Sequence, residues 1–123
     1  MNILQKTGLF LLLLAAFLWV FKFISPNLRI EGYEGVFCEL LFPGEDTRYA
    51  NGYSHIKFLK IRVGMTEKEV IDILGQPLSR WQPDDNCNAL QYSESSTSTH
   101  YRMRKVILAK GKVEDIEGYY YVD

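Results

Sequence analysis

From Thr7 to Phe21 (TGLFLLLLAAFLWVF) the chain carries no charged residue, and this stretch constrains the fold more than any other. Lys22 interrupts it, Phe23 and Ile24 extend it, and Ser25-Pro26 ends it. Thr7 through Ile24 makes roughly 18 positions, or about 27 Å of helix at 1.5 Å per residue. A bilayer's hydrocarbon core is about 30 Å thick, so the match is close. Lys22 can snorkel its ammonium to the headgroups, and Trp19 falls where an interfacial aromatic sits. A helix apolar on every side is not a surface helix of a small soluble domain. The competing reading is a cleaved signal peptide, which needs small residues before its cut. Leu14 stands three residues before a cut after Ala16, and Phe23 three before a cut after Ser25. Neither fits, and no Cys follows the run as a lipid attachment point. Residues 1–25 are therefore expected to be an uncleaved signal-anchor, with residues 7–24 in the lipid bilayer. Charge leaves the orientation open, because Lys6 on one side is balanced by Lys22 and Arg29 on the other.

The 123 residues suffice for one domain, and much of the 47% apolar content lies in the anchor. Net charge is −1 with no basic stripe, which argues against a nucleic-acid surface. The nearest cluster, Arg102, Arg104 and Lys105, is placed by alternation partly on the solvent face of a strand.

Residues 26–53 are the least regular stretch, punctuated by Gly32, Gly35, Pro43, Gly44 and Gly52 around the apolar run Val36–Phe42. They are expected to form a tether or irregular segment, with room for a strand. Ser54 to Ile61 reads as a short capped helix burying Ile56 and Leu59, with Ile61 or Phe58 beside them. The clearest signal follows, from Gly64 to Pro77 (GMTEKEVIDILGQP). Thr66 and Glu69 have capping-box spacing, Met65 and Val70 the spacing of a hydrophobic staple. Val70, Ile73 and Leu74 share one face, Gly75 is placed to end the helix, and Pro77 prevents its resumption. Beyond it the pattern is of strands: Ala89–Ser93, a polar loop Glu94–Thr99, then His100–Ala109 turning through Lys110-Gly111 into Val113–Val122. Gly118 inside the last strand predicts a bulge or a close approach by another element. The fold class expected is α+β: an N-terminal transmembrane helix, then over residues 54–123 two short helices packed on a three-stranded antiparallel sheet.

The pattern carried by Ile61, Val63, Gly64, Met65, Thr66, Val70, Leu74, Gly75 and Pro77, with weaker support from Gly111 and Val113, resembles the SmpA/OmlA/BamE family of small envelope proteins. More loosely it is similar to the β-lactamase-inhibitor-like fold. The resemblance spans Ile56 to Ile116. It implies a helix-helix-three-strand domain that acts as an adaptor in envelope or outer-membrane protein assembly, not a catalyst. It also favours an inner-membrane protein with its C-terminal domain in the periplasm, since the lipidated Cys of such proteins is missing here. Because capping and termination already account for Gly64 to Pro77, the motif speaks for a fold rather than a binding site.

No catalytic constellation is legible, and no cofactor or metal is implied. His55 and His100 have no carboxylate partner in a recognisable motif and read as surface residues. Asp84-Asp85-Asn86 lacks the spaced oxygen ligands and distal Glu of a calcium loop and reads as a turn. The Ser/Thr run between Ser93 and Thr99 reads as a solvated loop. Cys38 and Cys87 form an isolated pair, a disulfide candidate if the domain is exported; closing that loop stabilises by about 4 kcal/mol in the chain-entropy account. Trp81, Tyr119 and Tyr121 are the candidates for contact with a protein partner, although a Trp just beyond a helix often covers the core instead. The expected function is thus a membrane-tethered extracytoplasmic adaptor, the alternative an inhibitor or sensor domain binding an extracytoplasmic enzyme or small ligand.

Overall fold

The computed structural model describes residues 1–123, apart from the side chains of residues 23 and 24. Helix α1 spans Ile3–Ile24 and is long and apolar enough to cross a membrane. Asn2 caps it through a full capping box: Gln5 N donates to Asn2 Oδ1 (2.8 Å) and Asn2 N to Gln5 Oε1 (3.0 Å). Ser25 closes α1 and at the same time caps α2, which spans Pro26–Leu41. Here the structure departs from the tether expected over residues 26–53. Pro26 at the first helical position and Ser25 as cap are sound start signals, and Val36–Phe42, read as room for a strand, belongs to the helix and its cap. Gly32 interrupts it with φ of 72°, a left-handed kink that glycine tolerates. A two-part helix broken by glycine loses the long periodicity by which a sequence betrays it.

Strand β1 is Thr47–Tyr49, and α3 is a single turn, His55–Phe58, capped by Ser54 as expected. Its buried residues are Phe58 and, just beyond it, Ile61; Ile56 points to solvent, contrary to expectation, because so short a helix sustains no 3.6-residue stripe. Helix α4, Glu67–Leu74, carries the Thr66 cap, with Glu69 N donating to Thr66 Oγ1 at 3.2 Å. Among the described residues only this half of the capping box forms. Gly75 ends the helix at φ of 82°, and Val70 and Leu74 are fully buried.

The main sheet is antiparallel with order β2-β3-β5-β6: Ser79–Asp84, Cys87–Gln91, Tyr101–Ala109 and Lys112–Tyr121. It therefore has four strands where three were expected. The additional one, β2, contains Ser79-Arg80-Trp81-Gln82-Pro83, exposed at every position and rich in polar residues, so no alternation of burial announces it. Its Pro83 is tolerated because β2 is an edge strand. The short β4, Ser93–Ser95, leaves this sheet to pair with β1. The turn between β5 and β6 has positive φ at both Lys110 (54°) and Gly111 (77°), the geometry that matches strand twist.

Gly64 N donates to Val113 O and Val113 N to Met65 O, each at 2.8 Å, with Thr66 bridging to Lys112. The segment before α4 thus covers the first residues of β6. The core lies between the helices and the sheet, built from Phe58, Ile61, Val70, Leu74, Leu90, Tyr92, Val106, Leu108 and Val113.

On the same inner face, alternation along β5 continues from Leu108 and Val106 to Arg104 and Arg102. Both arginines are buried, which corrects their expected place near solvent. They are held by α2. Glu31 accepts from Arg102 and from Arg104 Nη2 (3.0 Å), Glu39 accepts from Arg102 Nη2 (2.8 Å), and Asn27 Oδ1 accepts from Arg104 Nη2 (3.1 Å). A buried guanidinium needs such partners, and every described buried side-chain polar atom has one. Gly118 lies opposite Arg104 in the β5–β6 register and beneath α2: a Cβ there would overlap Cγ2 of Ile30. This is the close approach that a glycine inside a strand predicts. The register shift in this hairpin falls elsewhere, between Ile107 and Leu108.

Candidate partner-binding face

Period-two alternation that sends Arg102, Arg104, Val106 and Leu108 inward sends Tyr101, Met103, Lys105 and Ile107 to the opposite face of the sheet. Met103 and Lys105, with Ala89 of β3, are buried at its centre, and at its margin Tyr119 lines a cavity with Glu34 and Cys38 of α2. The strand register orders this face into rows. Tyr101 pairs with Tyr121, and Met103 with Tyr119. Ser79, Gln91, Lys105 and Glu117 form the next row, and Trp81, Ala89, Ile107 and Asp115 the one after it. Trp81 on β2 and Tyr119 and Tyr121 on β6 therefore stand on opposite edge strands of one surface. All three aromatic candidates are brought to the same face, each 40–42% exposed. Trp81 does not cover the core.

The centre of the face is ordered by polar contacts. Lys105 Nζ is 2.8 Å from Glu117 Oε2 and 5.0 Å from the centre of the Trp81 ring. Trp81 Nε1 donates to Gln91 Oε1 at 3.2 Å, fixing the indole over the sheet. The Tyr101 and Tyr121 rings lie 5.2 Å apart. Burial, followed by the neighbouring Tyr119 and Tyr121, holds the Tyr101 phenol above its usual pKa, so it stays neutral.

Beside Trp81 a shallow groove of about 430 Å³ runs between Pro83, Ile107 and Cys87 on one side and Glu114, Asp115 and Glu117 on the other. Asp84 adds a further carboxylate, and Lys105 is the one cation lining the groove. The face is thus aromatic at one end and acidic at the other. Burial and then the Glu114 carboxylate, which accepts the thiol proton at 3.4 Å, push Cys87 up to about 11, so the thiol stays protonated.

The cysteine pair is not assembled. Cys38 and Cys87 are both free thiols. Cys38, on α2, lines a cavity with Tyr119 and Tyr120, near the pairing of Arg102 with Tyr120, whereas Cys87 pairs with Ala109 at the other end of β5. Seven residues of strand separate those levels by about 23 Å, far beyond disulfide reach. Spacing in sequence carried no information about which end of the sheet each would occupy.

The structural motif residues Gly64, Met65, Thr66, Glu69, Val70, Leu74, Gly75 and Pro77 lie across the core from this face. Gly64 and Met65 pair with β6, Val70 and Leu74 fill the core, and Leu78, just after Pro77, begins the connection to β2 by donating to Gln91 O at 2.8 Å. Tyr92 Oη donates to Gly75 O at 2.9 Å, so the end of α4 is bonded to the sheet.

The histidines are not simple surface residues. His55 is half-buried, with Nδ1 3.0 Å from Tyr53 Oη, which in turn accepts from Arg104 Nε at 3.1 Å. Burial first, then the charges of Arg104 and Arg102, lower its pKa to about 4. The neutral Nδ1 accepts the tyrosine proton, and the whole chain of contacts ends on a buried arginine rather than on an open cleft. His100 Nδ1 accepts from Asp123 N at 3.1 Å. In the Ser/Thr-rich loop, the Thr97 hydroxyl, Ser95 Oγ (2.7 Å) and Thr97 N (2.8 Å) all donate to Asp46, whose pKa these bonds lower. That loop is tied to the start of β1 and not merely solvated. Among the described residues no group of three or more His, Cys, Asp or Glu side chains is placed to hold a metal ion. No family model matches the chain, and no curated protein or solved structure matches it.

Proposed function

We propose that this chain is a membrane-tethered, non-catalytic adaptor that presents the aromatic face of its sheet to a protein partner. The observation that carries this reading is that Trp81, Tyr119 and Tyr121 are exposed on one face of the sheet, around a buried centre of Ala89, Met103 and Lys105, with an acidic groove beside the indole. Exposed aromatics held in place by their neighbours are efficient interface anchors, because little rotamer freedom is lost on binding. The carboxylates suit a partner segment that combines apolar side chains with a basic residue. The motif resemblance to small envelope proteins supports a partner in envelope or outer-membrane protein assembly. With it goes an uncleaved α1 in the inner membrane and the sheet domain in the periplasm.

A photoreactive phenylalanine at residues 81, 119 and 121, with residue 68 on the opposite side as control, tests the reading in native membranes. The three face positions are expected to yield an adduct with the same protein, a component of barrel assembly, and residue 68 none. Adducts spread equally over all four positions, or a single soluble enzyme captured instead, would reject it. Protease added to spheroplasts is expected to digest the sheet domain. N-terminal sequencing is expected to find α1 retained.

A further inference from the structure

Helix α2 is amphipathic on its far side. Past the Gly32 kink, Tyr33, Val36, Phe37, Leu40 and Leu41, spaced i, i+3, i+4, i+7 and i+8, form an exposed apolar stripe, with Val36 at its margin also lining a cavity beside Glu39 and Arg102. Their exposures run from 37% to 73%, while the opposite side of this part of α2 buries Gly35 and sends Glu39 to Arg102. The apolar stripe is therefore not a core face that failed to pack. The helix already has its partner, and the stripe is a second surface.

What covers it is indicated by α1. Ser25 is shared as the end of one helix and the cap of the next, so no linker separates them. Tyr33, the first residue of the stripe, donates its hydroxyl to Leu18 O at 2.7 Å, and Lys22 Nζ lies 6.0 Å from the Tyr33 ring centre. Helix α2 thus folds back beside the last turns of α1. The stripe starts at the level of Leu18 to Lys22, where exposed Trp19 and the charge of Lys22 mark the boundary between hydrocarbon and headgroups. Residues 33–41 offer a strip only about 13 Å long. That is small for a stable protein interface but suited to partial immersion in lipid.

We infer that α2 is an interfacial membrane helix, with Tyr33, Val36, Phe37, Leu40 and Leu41 immersed at the headgroup–acyl boundary. This rests on the reading of α1 as a membrane span. The consequence is that the sheet domain does not swing on a free tether. Through Glu31 just before the kink and Glu39 beyond it, the domain is fixed to a helix lying in the bilayer surface, which orients Trp81, Tyr119 and Tyr121 relative to the membrane.

Depth-dependent quenching tests this in the full chain reconstituted into phosphatidylcholine vesicles. Bimane is attached at single cysteines at residues 12, 37, 40 and 68 in a Cys38→Ser, Cys87→Ser background. Residues 37 and 40 are expected to be quenched more by a shallow doxyl lipid than by a deep one, residue 12 the reverse, and residue 68 by aqueous iodide alone. If residues 37 and 40 respond to iodide as residue 68 does while residue 12 responds to the deep lipid, α2 is in water: the inference is overturned and the anchor stands. If residue 12 escapes both lipid quenchers, the anchor itself is wrong and the inference goes with it. Shielding of residues 37 and 40 from lipid and iodide alike would mean that protein covers the stripe, which also overturns the inference.

Discussion

Arg104 Nη2 lies 3.0 Å from Glu31 Oε2, and both side chains are almost wholly removed from solvent. The pair joins the centre of β5 to α2, and Glu31 also accepts from Arg102. Two guanidinium groups on one strand face tolerate burial only with a carboxylate between them.

Glu31→Gln keeps the shape and removes that charge. Breaking a buried ion pair from one side typically costs about 3–5 kcal/mol, because the remaining charges stay desolvated without a partner. The variant is expected to lose about that much in urea denaturation, with faster amide exchange over residues 26–41 preceding that of the sheet. A loss below about 1 kcal/mol, the range of exposed pairs, would mean that water reaches the cluster.

Gly118 is required by the packing of α2 on β6. Gly118→Ala adds a Cβ that overlaps Ile30 Cγ2, and overpacking of this kind costs about 1–3 kcal/mol. Removing the obstacle should restore much of it. The double variant Gly118→Ala, Ile30→Ala is expected to melt higher than the sum of the two single losses predicts, and strict additivity would place the strain elsewhere.

The ends of α4 give a graded pair. Thr66→Ala deletes the bond to Glu69 N and should cost about 1 kcal/mol. Gly75→Val should cost more: φ is 82° there, and an added Cβ would come 3.0 Å from Asn51 O. Both losses should show as lower melting temperatures, with cross-linking from residue 81 preserved in whatever fraction stays folded. An unshifted melt for Gly75→Val would refute the structural role.

His55 makes stability depend on pH. Its folded pKa of about 4 lies below the ordinary 6.5, chiefly through burial. Between those values the unfolded chain binds the proton more tightly than the folded one, so stability is fully present above pH 6.5 and declines as pH falls toward 4. His55→Gln, which retains an acceptor for Tyr53, should flatten this part of the profile. Urea midpoints at pH 7.0, 5.5 and 4.5 for both proteins measure the difference, and parallel profiles would assign the titration to another group.

The α4 segment was legible from Gly64 to Pro77 because cap, apolar stripe, terminating glycine and proline are all local signals that agree. The β5–β6 hairpin was legible for the same reason, from β-formers on both sides of Lys110-Gly111. The strand β2 was not: nothing in Ser79–Asp84 is buried, so its pairing with β3 is decided by backbone bonds that leave no mark on side-chain pattern. Trp81, Tyr119 and Tyr121 could be named as exposed aromatics, but their shared face depends on that same strand order.

What the sequence by itself determined are the features set within a few residues: an apolar helix through Lys22, the caps at Ser54 and Thr66, the turn at Gly111, and a strand glycine that needed a close neighbour. Only the tertiary structure decided that this neighbour is Ile30 of a helix, that Arg102 and Arg104 turn inward to meet Glu31, and that Cys38 and Cys87 lie far apart. These relations join residues about 50 to 90 positions apart in the chain. An arginine in a strand is a solvent-facing residue by its own chemistry. It becomes an interior one when a carboxylate from a distant helix arrives to replace the water it gives up.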